Sequence, residues 1–253
     1  MVPNSEEANP DAGDRTPREP VFNIPGAIAG AIALLCLIHG LRLFLSPRDD
    51  LWLLYAFGFV PLRYDPSVVL NFTFPLEPVG AWVAPATHAL LHASFVHLAV
   101  NALWLIAFGA PLARRFGAVR FALFSGLAAV AGACAHLAAH WGSDVPMVGA
   151  SGVVSAYMAA AMRFCFEPLG PLSAAGRRFP EQGALVPRAS LLVVWSNPLA
   201  LTFALIFLVV NLGVGFVGGA ADGGQVAWQA HIGGFAFGLF AFALFDPVRT
   251  VRR

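Results

Sequence analysis

Lysine is absent from this 253-residue chain, and charge of either sign is scarce. Only 11% of residues are charged, against roughly 25% in an ordinary soluble domain. All fifteen basic residues are arginine, with no basic cluster interleaved with aromatics, so a nucleic-acid surface is unsupported. Cysteine is equally sparse. Cys36, Cys134 and Cys165 each sit inside an apolar run without CxxC spacing, which argues against a disulfide framework or a zinc site and reads them as small core residues. No Asp or Glu lies within a long apolar run. That removes the carboxylates a transporter or channel would use to carry ions or protons, and those that would complete an intramembrane metal site.

What fills the chain is apolar: 58% of residues are hydrophobic, among them 22 phenylalanines. They fall in long runs rather than in a period-2 alternation, which points to membrane-crossing helices and not to barrel strands. The expected fold class is all-α, a polytopic membrane protein. At about 20 apolar residues per crossing, six spans are expected. They run from about Pro25 to Leu45, Val83 to Leu112, Val119 to Ala139, Ser151 to Phe166, within Leu191 to Val217 with a kink at Pro198, and Val226 to Phe245. Between the first two, Ser46 to Trp82 is too polar in places to cross, but its Leu51 to Tyr55 and Phe57 to Pro61 pieces suit a membrane interface. Residues 1–23 are polar and Pro-rich, read as a disordered tail without the apolar stretch of a secretory signal. Residues 24–247 form the membrane domain and 248–253 a short basic tail.

Arginine sets the expected orientation. With the N-terminus cytoplasmic, twelve of the fifteen arginines fall inside and only Arg42, Arg48 and Arg63 outside, as the bias of basic residues toward the cytoplasm requires. Both termini are then cytoplasmic, in a bacterial inner (cell) membrane, and the fourth span starts from the outer side.

Polar residues inside the spans are the functional candidates. The fourth span opens with Val148-Gly149-Ala150-Ser151-Gly152-Val153, one hydroxyl in a small-residue turn, where it is either a packing residue or a nucleophile. It is not the soluble G-x-S-x-G elbow, because residue 153 is valine. A nucleophilic serine needs a base, and histidine serves best near neutral pH. The sixth span carries His231 beside the glycines Gly234 and Gly238, and the fourth offers a matching small face of Ser151, Gly152, Ser155, Ala156, Ala159 and Ala160. Two such faces allow close backbone approach and could bring His231 to Ser151. Asp246 is about 22 Å along the helix from His231, too far to complete a triad. Asp222 has no motif behind it. A Ser–His dyad is the expectation.

In the second span, His97 and Asn101 lie one turn apart on one face, as an interhelical contact or as two donors to an oxyanion. His88 and His92 have the spacing of a helical metal pair, but Ala89 stands where metalloprotease chemistry needs a glutamate. His39, His136 and His140 read as wet interfacial residues.

These pieces together, His92-x4-His97-x3-Asn101, Gly149-Ala150-Ser151-Gly152 and Ala230-His231-x-Gly233-Gly234-x3-Gly238, make the chain resemble the rhomboid family of intramembrane serine proteases. The resemblance covers about residues 25 to 246. It implies that Ser151 attacks a peptide carbonyl, His231 serves as base and then acid, and His97, Asn101 and the Ser151 backbone N–H form the oxyanion hole. His92 would be structural. The implied substrates are single-span or multi-span membrane proteins, cut beside a small residue near the outer face of the lipid bilayer, without metal, nucleotide or other cofactor. The resemblance also implies a half-embedded loop at Ser46 to Trp82 and a gate formed by the fifth span with the Gly218 to Gly224 loop. A catalytically silent relative that binds membrane clients is the alternative, signalled by loss of Ser or His, and both are present. One departure stands out: family members often carry an aromatic four residues after the serine, supporting the imidazole, where this chain has Ser155.

Overall fold

In the computed structural model, which describes residues 24–69, 73–217 and 226–248, the described residues form helices joined by turns and loops, with one isolated bridge between Phe59 and Met147 and no strand among them. The helices are α1 (Gly26–Arg42), α2 (Pro47–Phe57), α3 (Pro66–Val69), α4 (Val79–Thr87), α5 (Phe95–Trp104), α6 (Ala110–Ala139), α7 (Ser151–Ala161), α8 (Ala174–Arg178), α9 (Pro180–Ala184), α10 (Leu191–Ser196), α11 (Pro198–Val217) and α12 (Trp228–Phe245). The expected terminal tails and the Gly218 to Gly224 loop, with Asp222, lie outside the described residues.

Two helical stretches, Phe95–Ala139 and Trp228–Phe245, are long and apolar enough to cross a bilayer. Gly26–Arg42, Ser151–Ala161 and Pro198–Gly213 are shorter apolar helices. The 45 residues of the first stretch would span about 67 Å at 1.5 Å per residue, far more than one crossing needs. Gly117, at φ 73°, breaks it into two arms, a conformation that glycine adopts without a Cβ penalty. Leu, Val and Phe side chains stay exposed along these helices, among them Leu103, Leu123, Leu205, Val209, Phe240 and Leu244. So much bare apolar surface suits lipid and not water.

Several boundaries differ from the sequence expectation. The second span does not begin at Val83: α4 passes into a 3-10 turn at His88–Leu90, the chain is extended at Leu91, and α5 starts only after Ser94, whose hydroxyl accepts the His97 N–H at 3.2 Å. A local cap here overrides a stretch that reads as one helix in spite of His88, His92 and Ser94. His88 and His92 are therefore not a helical pair. The helix begun at Ser151 ends at Ala161, short of Phe166. At Pro198 the chain stops and restarts: Asn197 leaves the helical region, and its Oδ1 accepts the Leu199 N–H at 2.9 Å, which makes Asn197 a cap and Pro198 the first helical residue. Only Cys165 of the three cysteines is buried. His39 and His136 are buried rather than wet, His39 edge-on against Phe95.

The most deeply buried helix of the bundle is α7, and α12 packs against both α7 and α6. A Cβ on Gly234 would lie 1.9 Å from the Gly152 carbonyl oxygen, one on Gly238 2.0 Å from that of Ala156, and one on Gly233 2.5 Å from the Ala135 Cβ. These glycines permit backbone-to-backbone packing that any side chain would hold apart. At the far end of α12, Asp246 accepts both Nε and Nη2 of the fully buried Arg115 at 2.8 and 2.9 Å. Arg115 donates its remaining bonds to the Ala184 and Val186 carbonyls and lies over the Phe164 ring. Asp246 is thus a structural anchor, consistent with its exclusion as a partner of His231.

The polar segment after α1 is folded in its described residues. Ser46 caps α2, with Pro47 at its first position and Asp49 and Asp50 in its first turn, where carboxylates suit the helix dipole. Arg42 clamps Asp50 with two bonds, at 2.7 and 3.0 Å, and donates a third to the His92 carbonyl at 2.7 Å. Paired bonds between Phe59 and Met147, and the Leu62 N–H bond to the Ser143 carbonyl, hold the loop that delivers the chain into α7.

Candidate active site

The loop before α7 and the first residue of that helix are positioned by backbone. Gly149 takes φ 123°, and a Cβ there would fall 2.6 Å from His97 Nε2, so glycine is required on both counts. The Gly149 N–H donates to the His88 carbonyl at 2.9 Å, while the His88 ring lies 3.3 Å by Nε2 from the Ala129 carbonyl on α6. His88 is a strut between the loop and the bundle.

Serines cap α2, α5 and α10 with side-chain bonds, but α7 starts after Ala150, whose methyl accepts nothing. The N–H groups of its first turn thus stay without a side-chain cap, next to the positive end of the helix dipole. Ser151 opens that turn. Its Oγ is 2.7 Å from His231 Nε2, although the two residues are 80 apart in sequence. A hydroxyl at this distance from an imidazole nitrogen can pass its proton to it. Close packing of α12 on α7 through Gly234 and Gly238 makes the approach possible.

His97 and Asn101 reach the same place from α5. Both border Gly149, and both line a cavity of about 880 Å³ that also holds Ser151 and His231. Asn101 is buried, and its Nδ2 has no hydrogen-bond partner among the described residues. All four sequence-expected site residues therefore share one cavity. His92 is not on α5 but in the turn before it, fully buried, with its ring edge-on to that of His97 at 5.1 Å.

One residue escaped the sequence reading. Asn211, on α11, places its Oδ1 2.5 Å from His231 Nδ1 and donates from Nδ2 to the Phe207 carbonyl at 2.8 Å. The signal was there: Asn211 is the sole amide in the apolar run from Leu199 to Val217. Ser155, where an aromatic was expected, turns back to donate to the Ser151 carbonyl at 2.8 Å. Among the described residues no aromatic ring stacks on His231.

Fold and site define an all-helical, membrane-integral protein with a serine and a histidine in contact inside an interhelical cavity. The family model of the rhomboid domain matches residues 80–247, two thirds of the sequence, and the chain belongs to the rhomboid family. Among characterised proteins it is similar to the rhomboid protease GlpG of Serratia proteamaculans (strain 568), 30% identical over 160 residues. That match covers 62% of this chain and 45% of the relative, so the chain spans about half the length of the protein it matches.

Proposed function

We propose that the protein is an intramembrane serine endopeptidase that cleaves membrane-spanning helices near the outer face of the bilayer. The observation that carries this reading is the 2.7 Å contact between Ser151 Oγ and His231 Nε2 at a helix N-terminus. In the first step Oγ bonds to the scissile carbonyl carbon while its proton moves to Nε2. The negative charge gathers on the carbonyl oxygen, where the Ser151 N–H, Asn101 Nδ2 and His97 serve as donors. Collapse breaks the C–N bond, with Nε2 returning the proton to the departing amine, and water then releases the acyl group by the reverse sequence. No metal or nucleotide enters. The test is reconstitution of the protein with a fluorescent transmembrane-helix reporter, in parallel with Ser151→Ala.

The Nδ2 of Asn101 supports its part, because it lines the same cavity as Ser151 and, without a hydrogen-bond partner among the described residues, is available as a donor to an oxyanion. Asn101→Ala should lower kcat by roughly 10²-fold with KM nearly unchanged. An unaltered kcat would return Asn101 to a packing role.

Six crossings follow if α1, α5 with the first turns of α6, the rest of α6, α7, α11 and α12 each traverse the bilayer. The arginine bias then puts both termini in the cytoplasm and Ser151 toward the outer side, and the likeness to a Serratia protein favours a bacterial cell membrane. Ala118 and Asp144 sit exposed near opposite ends of the second arm of α6. With the native cysteines replaced, a cysteine at 144 should react with an impermeant maleimide on whole cells, and one at 118 only after lysis. The reverse pattern would invert the topology. Substrate access between α5 and α11 is supported by the cavity wall, to which α5 contributes Val100 and Trp104 and α11 contributes Phe203, Ile206 and Val210.

A further inference from the structure

We propose that Asn211 is a positioning residue for His231, supplying by hydrogen bond the orientation that an aromatic at position 155 would otherwise give by stacking. The inference rests on the protease reading and deepens it.

The chain of donors and acceptors allows one arrangement. The Phe207 carbonyl can only accept, so the Asn211 atom 2.8 Å from it is the NH2 group, and Oδ1 is the atom turned toward His231. An amide oxygen can likewise only accept. His231 Nδ1 must then carry the proton, and Nε2, 2.7 Å from Ser151 Oγ, is left with the lone pair a general base requires. A carbonyl one turn back on α11 thus selects the tautomer of a histidine on α12. Asn211 is itself buried and held by that bond, so it arrives pre-oriented. Stacking would fix the plane of the ring but not its rotation within that plane; the bond from Nδ1 fixes the rotation and the tautomer. Phe207 also stacks on Phe235 at 4.4 Å, which ties the part of α11 bearing Asn211 to the helix bearing His231. The interaction is uncharged: as His231 takes the serine proton, Asn211 offers the imidazolium a dipole and no carboxylate.

The test compares wild type, Asn211→Leu and Asn211→Asp in cleavage of the reporter across pH, with circular dichroism and heat-denaturation midpoints measured on each. Asn211→Leu should lower kcat by roughly 10- to 100-fold with little change in KM, the scale seen when the hydrogen-bond partner that orients a metal-bound imidazole is lost. Asn211→Asp keeps an acceptor at Nδ1 but loses the bond to the Phe207 carbonyl, so it should recover part of that kcat. Its negative charge favours the imidazolium, so the acid limb of its kcat profile should move to higher pH. The other ionisable group acting on His231 among the described residues is His97 from α5, common to all three proteins. An active wild type with Asn211→Leu at wild-type kcat, or Asn211→Asp with neither recovery nor a moved limb, overturns the positioning role alone. A wild type that leaves the reporter uncut overturns the protease reading.

Discussion

Replacing Ser151 by alanine is expected to abolish cleavage of a transmembrane-helix reporter, a loss of roughly 10⁴-fold or more in kcat. Deleting the hydroxyl removes the atom proposed to bond to the carbonyl carbon, and Ser155, the nearest serine along the helix, is not placed to stand in for it. Ser155 lies one turn on, but its hydroxyl is committed to the Ser151 carbonyl. His231→Ala should cost a comparable factor, because a serine hydroxyl without its base is a weak nucleophile. The two losses should not add: with either member gone the covalent route is closed, and the double variant should match the worse single one. Stability is expected to hold in Ser151→Ala, since the change deletes one oxygen beside a cavity. Residual cleavage within tenfold of wild type in either single variant would show that the 2.7 Å contact is structural.

Gly234→Val should be nearly as damaging by a different physical route. A Cβ at 234 falls 1.9 Å from the Gly152 carbonyl oxygen, about 1.5 Å short of the 3.4 Å at which ordinary contact begins. The opposing atom is backbone at the start of the helix bearing Ser151, so it cannot swing aside as a side-chain tip would. Either α12 backs away from α7 or the bundle fails to assemble. Overpacking in close-packed interiors costs about 1–3 kcal/mol, occasionally more, and a displacement near 1 Å can lower turnover by roughly 10²-fold. Gly234→Val should therefore lower the midpoint of heat denaturation and, in whatever fraction folds, the rate of reporter cleavage. Gly126→Ala is the control: its Cβ meets nothing within 4 Å, and a helical Gly-to-Ala change there should be neutral or stabilising by up to about 1 kcal/mol. If Gly234→Val matched that control in both midpoint and rate, the wedge of α12 against α7 would carry no weight.

Much of the site was legible before any coordinates. Ser151, His231, His97 and Asn101 stand out because a polar side chain is costly in an apolar run and the surrounding glycines and alanines announce close packing. The residues that escaped did so for identifiable reasons. Asn211 carries the same signal as Asn101 but no recognisable spacing, and its partner lies 20 residues on, in another helix. The break at Leu91 to Ser94 was hidden because the apolar residues on either side can be read as one helix across His92 and Ser94, while the cap that causes it is a single serine hydroxyl. The Asn197-Pro198 pair was read as a kink because Pro marks a disturbance without saying whether the helix bends or ends; the Asn197 side chain decides that it ends.

By itself the sequence determined that this is a helical membrane protein, which polar residues are the candidates for its chemistry, and the family to which it belongs. Those properties are local: they rest on apolar run length, on the cost of polar groups in lipid, and on motif spacing along single helices. Only the tertiary structure decided that the Ser151 hydroxyl and the His231 imidazole touch, that His92 stands outside the helix bearing His97, and that Asn211 takes the other ring nitrogen. Each of those depends on how closely two backbones approach, a quantity set by glycines facing carbonyls across helices and not encoded in the period of any one of them.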